Sequence, residues 1–595
     1  MDKIKGFIIA LMSACMLLGV PGPGMKDAAA AGKESFWNNA IVYFVLNDRF
    51  FDGNPSNNNS YGRPQIDATG SNIGTFHGGD IAGLTKKLKE GYFTNLGVNA
   101  IWMSVPYEQS HGFVGGGGEG DFACYAFHGY WALDFTMMDR NMGTVEEMRE
   151  FVTEAHRRNI RVIMDVVMNH AGYDNIADMK EYGYGCWKNG KEPVAGWKPD
   201  EDAGETWHSY HDLIDYADGE EEWDRWWGGG WVRAGIAGYE PSGSDEETRT
   251  LDFLPDFRTE ETEDQGLPGI LTTKWGKETS PEFAKYIVPS EKKLRKDLKI
   301  PPSGYLVRWL AAWVEEFGID GFRADTAKHV EKERWLELKK AASAALETWR
   351  KNNPGKPGAS WTEPFWMTGE VWGHGVKRDD YYDNGFDSLI NFEFVGTDMT
   401  GPAVKSYDEL DAAYSLYSRT IGSERNFNVL SYISSHDTNL YDRKNLLNGM
   451  TNLLLCPGAV QIFYGDESGR PEGPECSDPK QLLRSDMNWN SIDAKILSHT
   501  RKLAMFRLDN IAVAAGTHAR IDSRKNGYAF TRVRGSNRIA AAVGAGGIVV
   551  LDVSTIWKDG IAVVNAYDGT TGSVRNGTVT FCAGPGGVVL VQERK

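Results

Sequence analysis

Apolar residues in this chain come in short unbroken blocks, separated by longer stretches with helical spacing. Ile41-Val42-Tyr43-Phe44-Val45 and Ala100-Ile101-Trp102-Met103 have no polar break, as expected for strands buried on both faces. Leu84 to Leu96 is helix-like, and Val145 to Asn159 carries Met148, Phe151, Val152 and Ala155 on one face, the spacing of an amphipathic helix. Arg161 to Val167 is the next strand. Tyr305 to Phe317 places Leu306, Trp309, Leu310 and Trp313 on one stripe, and strand-like Ile319 to Arg323 and helical Lys332 to Lys351 follow. Trp366 to Val371, Val429 to Ile433 and Val460 to Tyr464 are further strands. This alternation, from about residue 36 to 510, predicts an α/β fold with a parallel sheet covered by helices.

Two regions break the rhythm. Residues 171–300 are rich in Trp, Gly, Asp and Glu and poor in apolar runs, which predicts an irregular inserted domain. Beyond about residue 510, Tyr528 to Val533, Ile548 to Val553 and Val588 to Val591 alternate between Gly-rich turns with no helix among them. That pattern predicts a small antiparallel β-domain over 510–595.

The amino terminus has its own pattern. Lys3 and Lys5 precede an apolar run of 14 residues from Phe7 to Val20, and Ala28 to Ala31 offer a small-residue cleavage site. The run is short for a membrane span, so residues 1–31 read as a removed signal peptide. Met12-Ser13-Ala14-Cys15 half-resembles a lipoprotein signal, but the apolar run continues past Cys15. No later stretch is apolar enough to span a bilayer, so an exported protein, periplasmic or extracellular and without integral membrane association, is expected. Export permits disulfides. Cys456 sits in an apolar run and reads as a buried thiol, and Cys582 is in a strand-like segment. Cys124, Cys186 and Cys476 lie in Gly-rich contexts, and one bridge is expected among them, its pairing left open. No Cys-x-x-Cys spacing points to a thiolate metal site.

Charge narrows the function. The 595 residues carry 82 acids against 64 bases, a formal −18, which argues against a nucleic-acid partner. The 20 Trp, 24 Tyr and 26 Phe offer flat faces for sugar rings, but cores use them too.

Chemistry gathers just past the ends of the predicted strands. Asp165 with Asn169-His170 follows one, Arg323 and Asp325 the next, Glu370 a third and His436-Asp437 a fourth. Charge at buried strand ends is costly unless paired, and in α/β barrels active sites assemble there. Several carboxyls flanked by His and Arg suit glycoside chemistry, in which one carboxyl stays ionised to attack and another stays protonated. Arg323 lies two residues before Asp325 on the same strand face and is expected to lower its pKa. Glu370, beside Trp366, Val371 and Trp372, is the protonated candidate.

These residues resemble the motifs of the α-amylase family, glycoside hydrolase family 13. Asp165 to His170 resembles its first conserved region, Gly321 to His329 the second, Gly369 to Trp372 the third and Ser434 to Asp437 the fourth. Gly97 to Trp102 and Gly458 to Glu467 agree as minor motifs. The long insertion with Leu254-Pro255-Asp256-Phe257 looks most like bacterial periplasmic-type enzymes, here without a further domain ahead of the barrel. The resemblance implies a (β/α)8 barrel (36–170 and 301–509), an inserted domain (171–300) and a carboxyl-terminal β-domain. It implies retaining, endo-type hydrolysis of α-1,4-glucosidic bonds in starch, glycogen and maltodextrins, by a monomer. Asp325 would be nucleophile, Glu370 general acid/base and Asp437 the third carboxylate. Arg323 would orient Asp325, and His170, His436, His128 and Tyr130 would hold the central sugar, with Lys328 and His329 on the acceptor side. A structural Ca²⁺ would be held by Asn169, Asp256 and the His329 carbonyl, oxygen ligands that suit it. A glucanotransferase, or a non-catalytic glucan binder, would fit the same scaffold.

Two patterns invite other readings. Gly115 to Gly120 matches G-x-G-x-x-G but opens no helix, so a loop over the cleft is expected and not a dinucleotide site. Trp223, Trp226, Trp227 and Trp231 could bind glucan, but their spacing also fits a packing face, which is favoured.

Overall fold

The apolar runs close into a ring. Strands β1 (Ile41–Val45), β2 (Ala100–Met103), β3 (Arg161–Val166), β4 (Gly321–Ala324), β5 (Trp366–Gly369), β6 (Ser388–Asn391), β7 (Val429–Ser431) and β8 (Ala459–Phe463) form a closed parallel barrel. Spatial order follows chain order, and β8 pairs back onto β1 with Ile462 opposite Tyr43. The computed structural model describes residues 36–64, 73–194, 196–395, 406–423, 427–521 and 527–594. The predicted leader, with Cys15, lies outside them.

Helices wrap the ring: α1 (Ile81–Lys89), α2 (Val145–Arg157), α3 (Pro302–Phe317), α4 (Lys332–Asn352), α5 (Tyr407–Ser423), α6 (Leu446–Leu454) and α7 (Ala494–Asp509). Their ends follow local chemistry. Thr144 and Glu147 form a capping box on α2, satisfying amides that would otherwise be orphaned. Gly318, at φ +75°, ends α3. The helix expected over 84–96 is broken, because Gly91 at φ +80° separates α1 from a short turn at Tyr92–Leu96. Strand β6 has no counterpart in the pattern analysis. Only Leu389 and Ile390 are apolar in it, and Asn391 is instead satisfied by donating to Ser431 Oγ of β7 at 2.9 Å.

The insertion after β3 is a set of short turns, helices at Ile176–Tyr182, Glu220–Trp223 and Gly269–Lys277, and a two-strand ribbon, Val232–Arg233 against Asp256–Phe257. Its Trp223, Trp226, Trp227 and Trp231 are at most 2% exposed, in line with packing. Trp231 stacks at 6.0 Å on Trp309 of α3, and Trp227 meets Phe257 edge-on. A buried ammonium holds the insertion's far end. Lys274 Nζ lies 2.5 Å from Glu108 and 3.2 Å from Asp134, both on the ribbon between β2 and α2, and it also pairs with Glu278. Arg295 adds a second cation to Asp134 and Glu278.

At the carboxyl end, β9 (Thr517–Ile521), β10 (Tyr528–Arg534), β11 (Asn537–Val543), β12 (Ile548–Asp552), β13 (Ala562–Asn565), β14 (Thr571–Ser573), β15 (Thr578–Cys582) and β16 (Val589–Glu593) form an antiparallel sheet of order β9-β10-β11-β16-β13-β14, with β12 and β15 paired beside it. Buried Arg532 of β10 docks it on the barrel by donating to the Leu455 carbonyl past α6 at 2.6 Å.

The cysteines correct one expectation. All five described cysteines, Cys124, Cys186, Cys456, Cys476 and Cys582, are free thiols, so no bridge joins Cys124, Cys186 and Cys476. Cys124 is buried in the strand Phe122–Cys124, and Cys476 turns its Sγ to the Asp478 carbonyl at 3.2 Å. A Gly-rich context marks a cysteine as loop-borne but does not say which loops meet. Cys456 is buried, as expected. No helix among the described residues is long and apolar enough to cross a membrane.

Removing the Lys274 cation strands buried carboxylates. Lys274→Met is expected to cost about 3–5 kcal/mol, read as a lower denaturation midpoint in urea, with Lys274→Arg losing less.

Candidate active site

Register sets the centre of the site. Pairing of β4 with β3 puts Arg323 opposite Asp165. The guanidinium, 1% exposed, then reaches three carboxylates: Nη1 lies 3.0 Å from Asp165 Oδ1 and 2.6 Å from Asp325 Oδ1, and Nη2 lies 2.8 Å from Glu370 Oε2. Asp165 is fixed further by Trp102 Nε1 at 3.0 Å and Tyr130 Oη at 2.8 Å, both donating to Oδ2. The chain leaves β4 through Thr326 at φ +44°, an outlier for a β-branched residue. That turn aims the Thr326 N–H at Glu370 Oε2, at 3.1 Å.

Three carboxyls on one buried cation cannot all ionise easily. Burial pushes Asp325 up to about 6; Arg323 opposes it, and Asp165 and Asp437 add to it. Burial likewise lifts Glu370 to about 7 against Arg323, with Asp325 and Asp437 adding to the rise. Arg323 lowers the Asp325 pKa, the direction expected from the sequence. The ion pair is present, but desolvation outweighs it because one guanidinium is divided among three acids. The order survives: Glu370 keeps its proton to higher pH than Asp325.

Asp437 has its own partners. Burial works to raise it, but His436 and Arg484 outweigh that and hold it well below the usual range. His436 Nε2 lies 2.8 Å from Oδ2, and Arg484 Nη2 lies 2.9 Å from Oδ1. Burial pulls His436 down as well, so at neutral pH the imidazole gives a hydrogen bond and the fixed charge is Arg484. Sequence reasoning missed Arg484; it comes from a loop 47 positions away, and no motif marks it.

The remaining candidates surround this centre. The Tyr130 ring stacks 5.4 Å from His436, and the Tyr130 N–H donates to His128 Nδ1 at 3.0 Å. His170 lines the cleft, but Nε2 meets the Tyr130 carbonyl and Nδ1 meets Asn169, each at 3.1 Å. Its ring nitrogens are thus occupied by protein. Lys328 pairs with Glu246 of the insertion at 2.6 Å, and His329 Nδ1 lies 2.5 Å from the Glu246 carbonyl. Asp325, Glu370, Asp437, Tyr130, His128, His170, Lys328 and His329 all border one cleft of about 1030 Å³. Gly115 to Gly118 roof part of it from the hairpin Val114–Gly116/Phe122–Cys124, a loop over the cleft as expected.

Asn169, Asp256 and His329 meet. The side-chain end of Asn169 that points away from His170 lies 2.9 Å from the His329 carbonyl oxygen and 3.2 Å from Asp256 Oδ1. If that end were the NH₂, no ion would be needed, but Asn169 would then present oxygen to His170 Nδ1, and His170 would need a proton on both nitrogens. Buried His170, pulled down to about 4, has one, and the Tyr130 carbonyl takes it. Nδ1 is therefore an acceptor, the NH₂ faces it, and three oxygens face one another. That nest fits a hard cation. A second oxygen-rich loop after β1 went unnoticed in the sequence. Asn57 and Asn58 donate to Asp80 and Asp52 at 3.1 and 2.8 Å. Asp52 Oδ1, Asn57 Oδ1 and Asn58 Oδ1 are left buried without a partner.

Carboxyls of unequal acidity at the strand ends of a closed barrel, beneath an aromatic cleft, define a glycoside hydrolase. The profile "Alpha amylase, catalytic domain" matches residues 44–211. The chain is 46% identical over 514 residues to the periplasmic alpha-amylase of Escherichia coli K12, covering 84% of this chain and 71% of that protein. A cyclomaltodextrin glucanotransferase of Bacillus sp. strain 17-1 is 26% identical, over 87% of this chain and 61% of its own length. The solved Anoxybacillus alpha-amylase shares the fold, with a TM-score of 0.58 at 21% identity over 94% of this chain and all of that one. The chain belongs to the α-amylase family.

Proposed function

We propose that this protein is an exported, retaining α-amylase that cuts internal α-1,4-glucosidic bonds in starch, glycogen and maltodextrins. The observation that carries the reading is the Arg323 cluster, in which Asp325 and Glu370 share one buried guanidinium at the strand ends of the barrel. Sharing one cation favours the close spacing of retaining enzymes, ~5–5.5 Å, over the ~6.5–9.5 Å that admits a water.

Arg323 occupies Asp325 Oδ1, which leaves Oδ2 to attack the anomeric carbon. Arg323 and Thr326 occupy Glu370 Oε2, so Oε1 carries the proton to the glycosidic oxygen. The C1–O bond breaks as the C1–Oδ2 bond forms. Glu370 then takes a proton from water, whose oxygen displaces Asp325 and restores the α-configuration. Asp437, ionised beside Arg484, would accept hydrogen bonds from hydroxyls of the distorted sugar, with His436 and His128 beside it and Tyr130 beneath the ring. Lys328 and His329 would face the acceptor. A Ca²⁺ on Asn169, Asp256 and the His329 carbonyl would join the insertion to β4 and shape a cleft wall, with no part in bond cleavage. The E. coli relative's name supports a periplasmic location, in line with the leader expected at 1–31.

The Bacillus relative's name supports a second reading, transfer to a sugar hydroxyl in place of water. A time course on soluble starch and maltoheptaose separates them: hydrolysis gives net reducing ends, whereas growth of maltotriose into longer chains would overturn the hydrolase reading.

Three outcomes are expected. Asp325→Asn lowers kcat by about four orders of magnitude or more and leaves glucan binding largely intact; near-normal turnover would refute the nucleophile. Asp325 must be ionised and Glu370 protonated, so kcat/KM rises through a limb near about 6 and falls through one near about 7, the limbs belonging to the coupled cluster. Chelation with EDTA lowers the thermal midpoint and added Ca²⁺ restores it, by about 4 kcal/mol at a thousandfold excess over Kd; an unchanged midpoint would count against the ion.

A further inference from the structure

Several aromatics on the cleft have no part in the chemistry above, and of these Phe253 is the most exposed. Phe253 borders the cleft beside Leu254 and Pro255, and it is 91% exposed. Its backbone is left-handed, at φ +62°, after Asp252 at φ +47°. Asp tolerates this region, but a bulky aromatic residue there is an outlier that the surroundings must enforce. Tyr173 Oη donates to the Asp252 carbonyl at 2.6 Å, the Leu254 N–H donates to the Leu251 carbonyl at 2.8 Å, and the Ala171 N–H donates to the Pro255 carbonyl at 3.0 Å. The turn is thus fixed on both sides of a ring that it lifts into solvent. Glycine would relieve the backbone and a polar residue would suit the water, yet the position holds Phe. Trp223, Trp226, Trp227 and Trp231 of the same insertion, by contrast, are buried, so exposure here does not reflect a shortage of core.

We propose that Phe253 is the stacking platform of an outlying glucose subsite, taking the apolar face of a sugar in a chain that extends beyond the unit at the carboxylates. The inference rests on the α-glucan reading above and assigns it a chain-length determinant. No hydrogen bond or ring contact among the described residues joins Phe253 to Asp325, Glu370 or Asp437. A platform away from the scissile bond binds substrate and transition state alike, so its loss falls on KM more than on kcat.

The test compares wild type, Phe253→Ala, Phe253→Gly and Phe253→Tyr on maltoheptaose and maltotriose, with thermal midpoints. Ala and Gly are expected to raise KM for maltoheptaose about tenfold, with a smaller effect on maltotriose and on kcat, while Tyr stays near wild type. Gly relieves the positive φ and so holds or raises the midpoint even as KM rises, which a merely structural role would not produce. Variants with wild-type KM for maltoheptaose, or an equal loss on both substrates, overturn the subsite alone. A wild type that cleaves neither oligosaccharide overturns the α-glucan reading and the subsite with it.

Discussion

Arg323 faces more negative charge than it can neutralise. Asp165, Asp325 and Glu370 converge on its guanidinium at the end of β4, where burial penalises each ionised form. The excess is resolved by protonation, and the proton stays longest on Glu370, against which the Thr326 turn is closed. A second arginine inside the same cluster would ionise all three acids and remove the acid catalyst. The site needs a shortage of cations as much as it needs its carboxylates.

The insertion depends on the same physics. It has few long apolar runs, so it cannot be seated by a broad hydrophobic face alone. Its tryptophans supply one contact on α3. Lys274 supplies another, placing an ammonium among acids of the β2–α2 ribbon. The Lys274 attachment is electrostatic and buried, so it positions its segment narrowly.

Much of the barrel was legible because its strands are buried on both faces and read as unbroken apolar runs. Strand β6 was not, because its buried polar residues Ser388 and Asn391 interrupt the run, Asn391 being satisfied inside the barrel by Ser431. Motif positions located Asp325, Glu370 and Asp437, which the fold brings to one cleft, and Arg323, which it buries behind them. Arg484 and the Asp52–Asn57–Asn58 loop were missed for different reasons. Arg484 acts from a loop whose approach is set by tertiary packing. The β1 loop carries a cluster of Asp and Asn that reads equally well as turn chemistry. The lowering of the Asp325 pKa by Arg323 was legible, but the burial that outweighs it was not, because spacing shows a neighbour's charge but neither its other partners nor the depth of burial.

Backbone strain points the same way. Among the described residues, half of the non-glycine positions with positive φ are Asn or Asp, Asn159, Asn189, Asp252 and Asn576, which adopt it readily. Among the rest, Thr326 and Phe253 both border the cleft. Neither gains an internal contact that would explain its residue type: Thr326 Oγ1 is buried without a partner, and Phe253 faces solvent. What each gains is direction. Thr326 turns an amide onto the catalytic acid, and Phe253 turns a ring toward the path of a polymer. Strain that serves packing would be relieved by glycine at no functional loss. Strain that serves direction persists because the side chain or amide it aims is needed only when substrate is present.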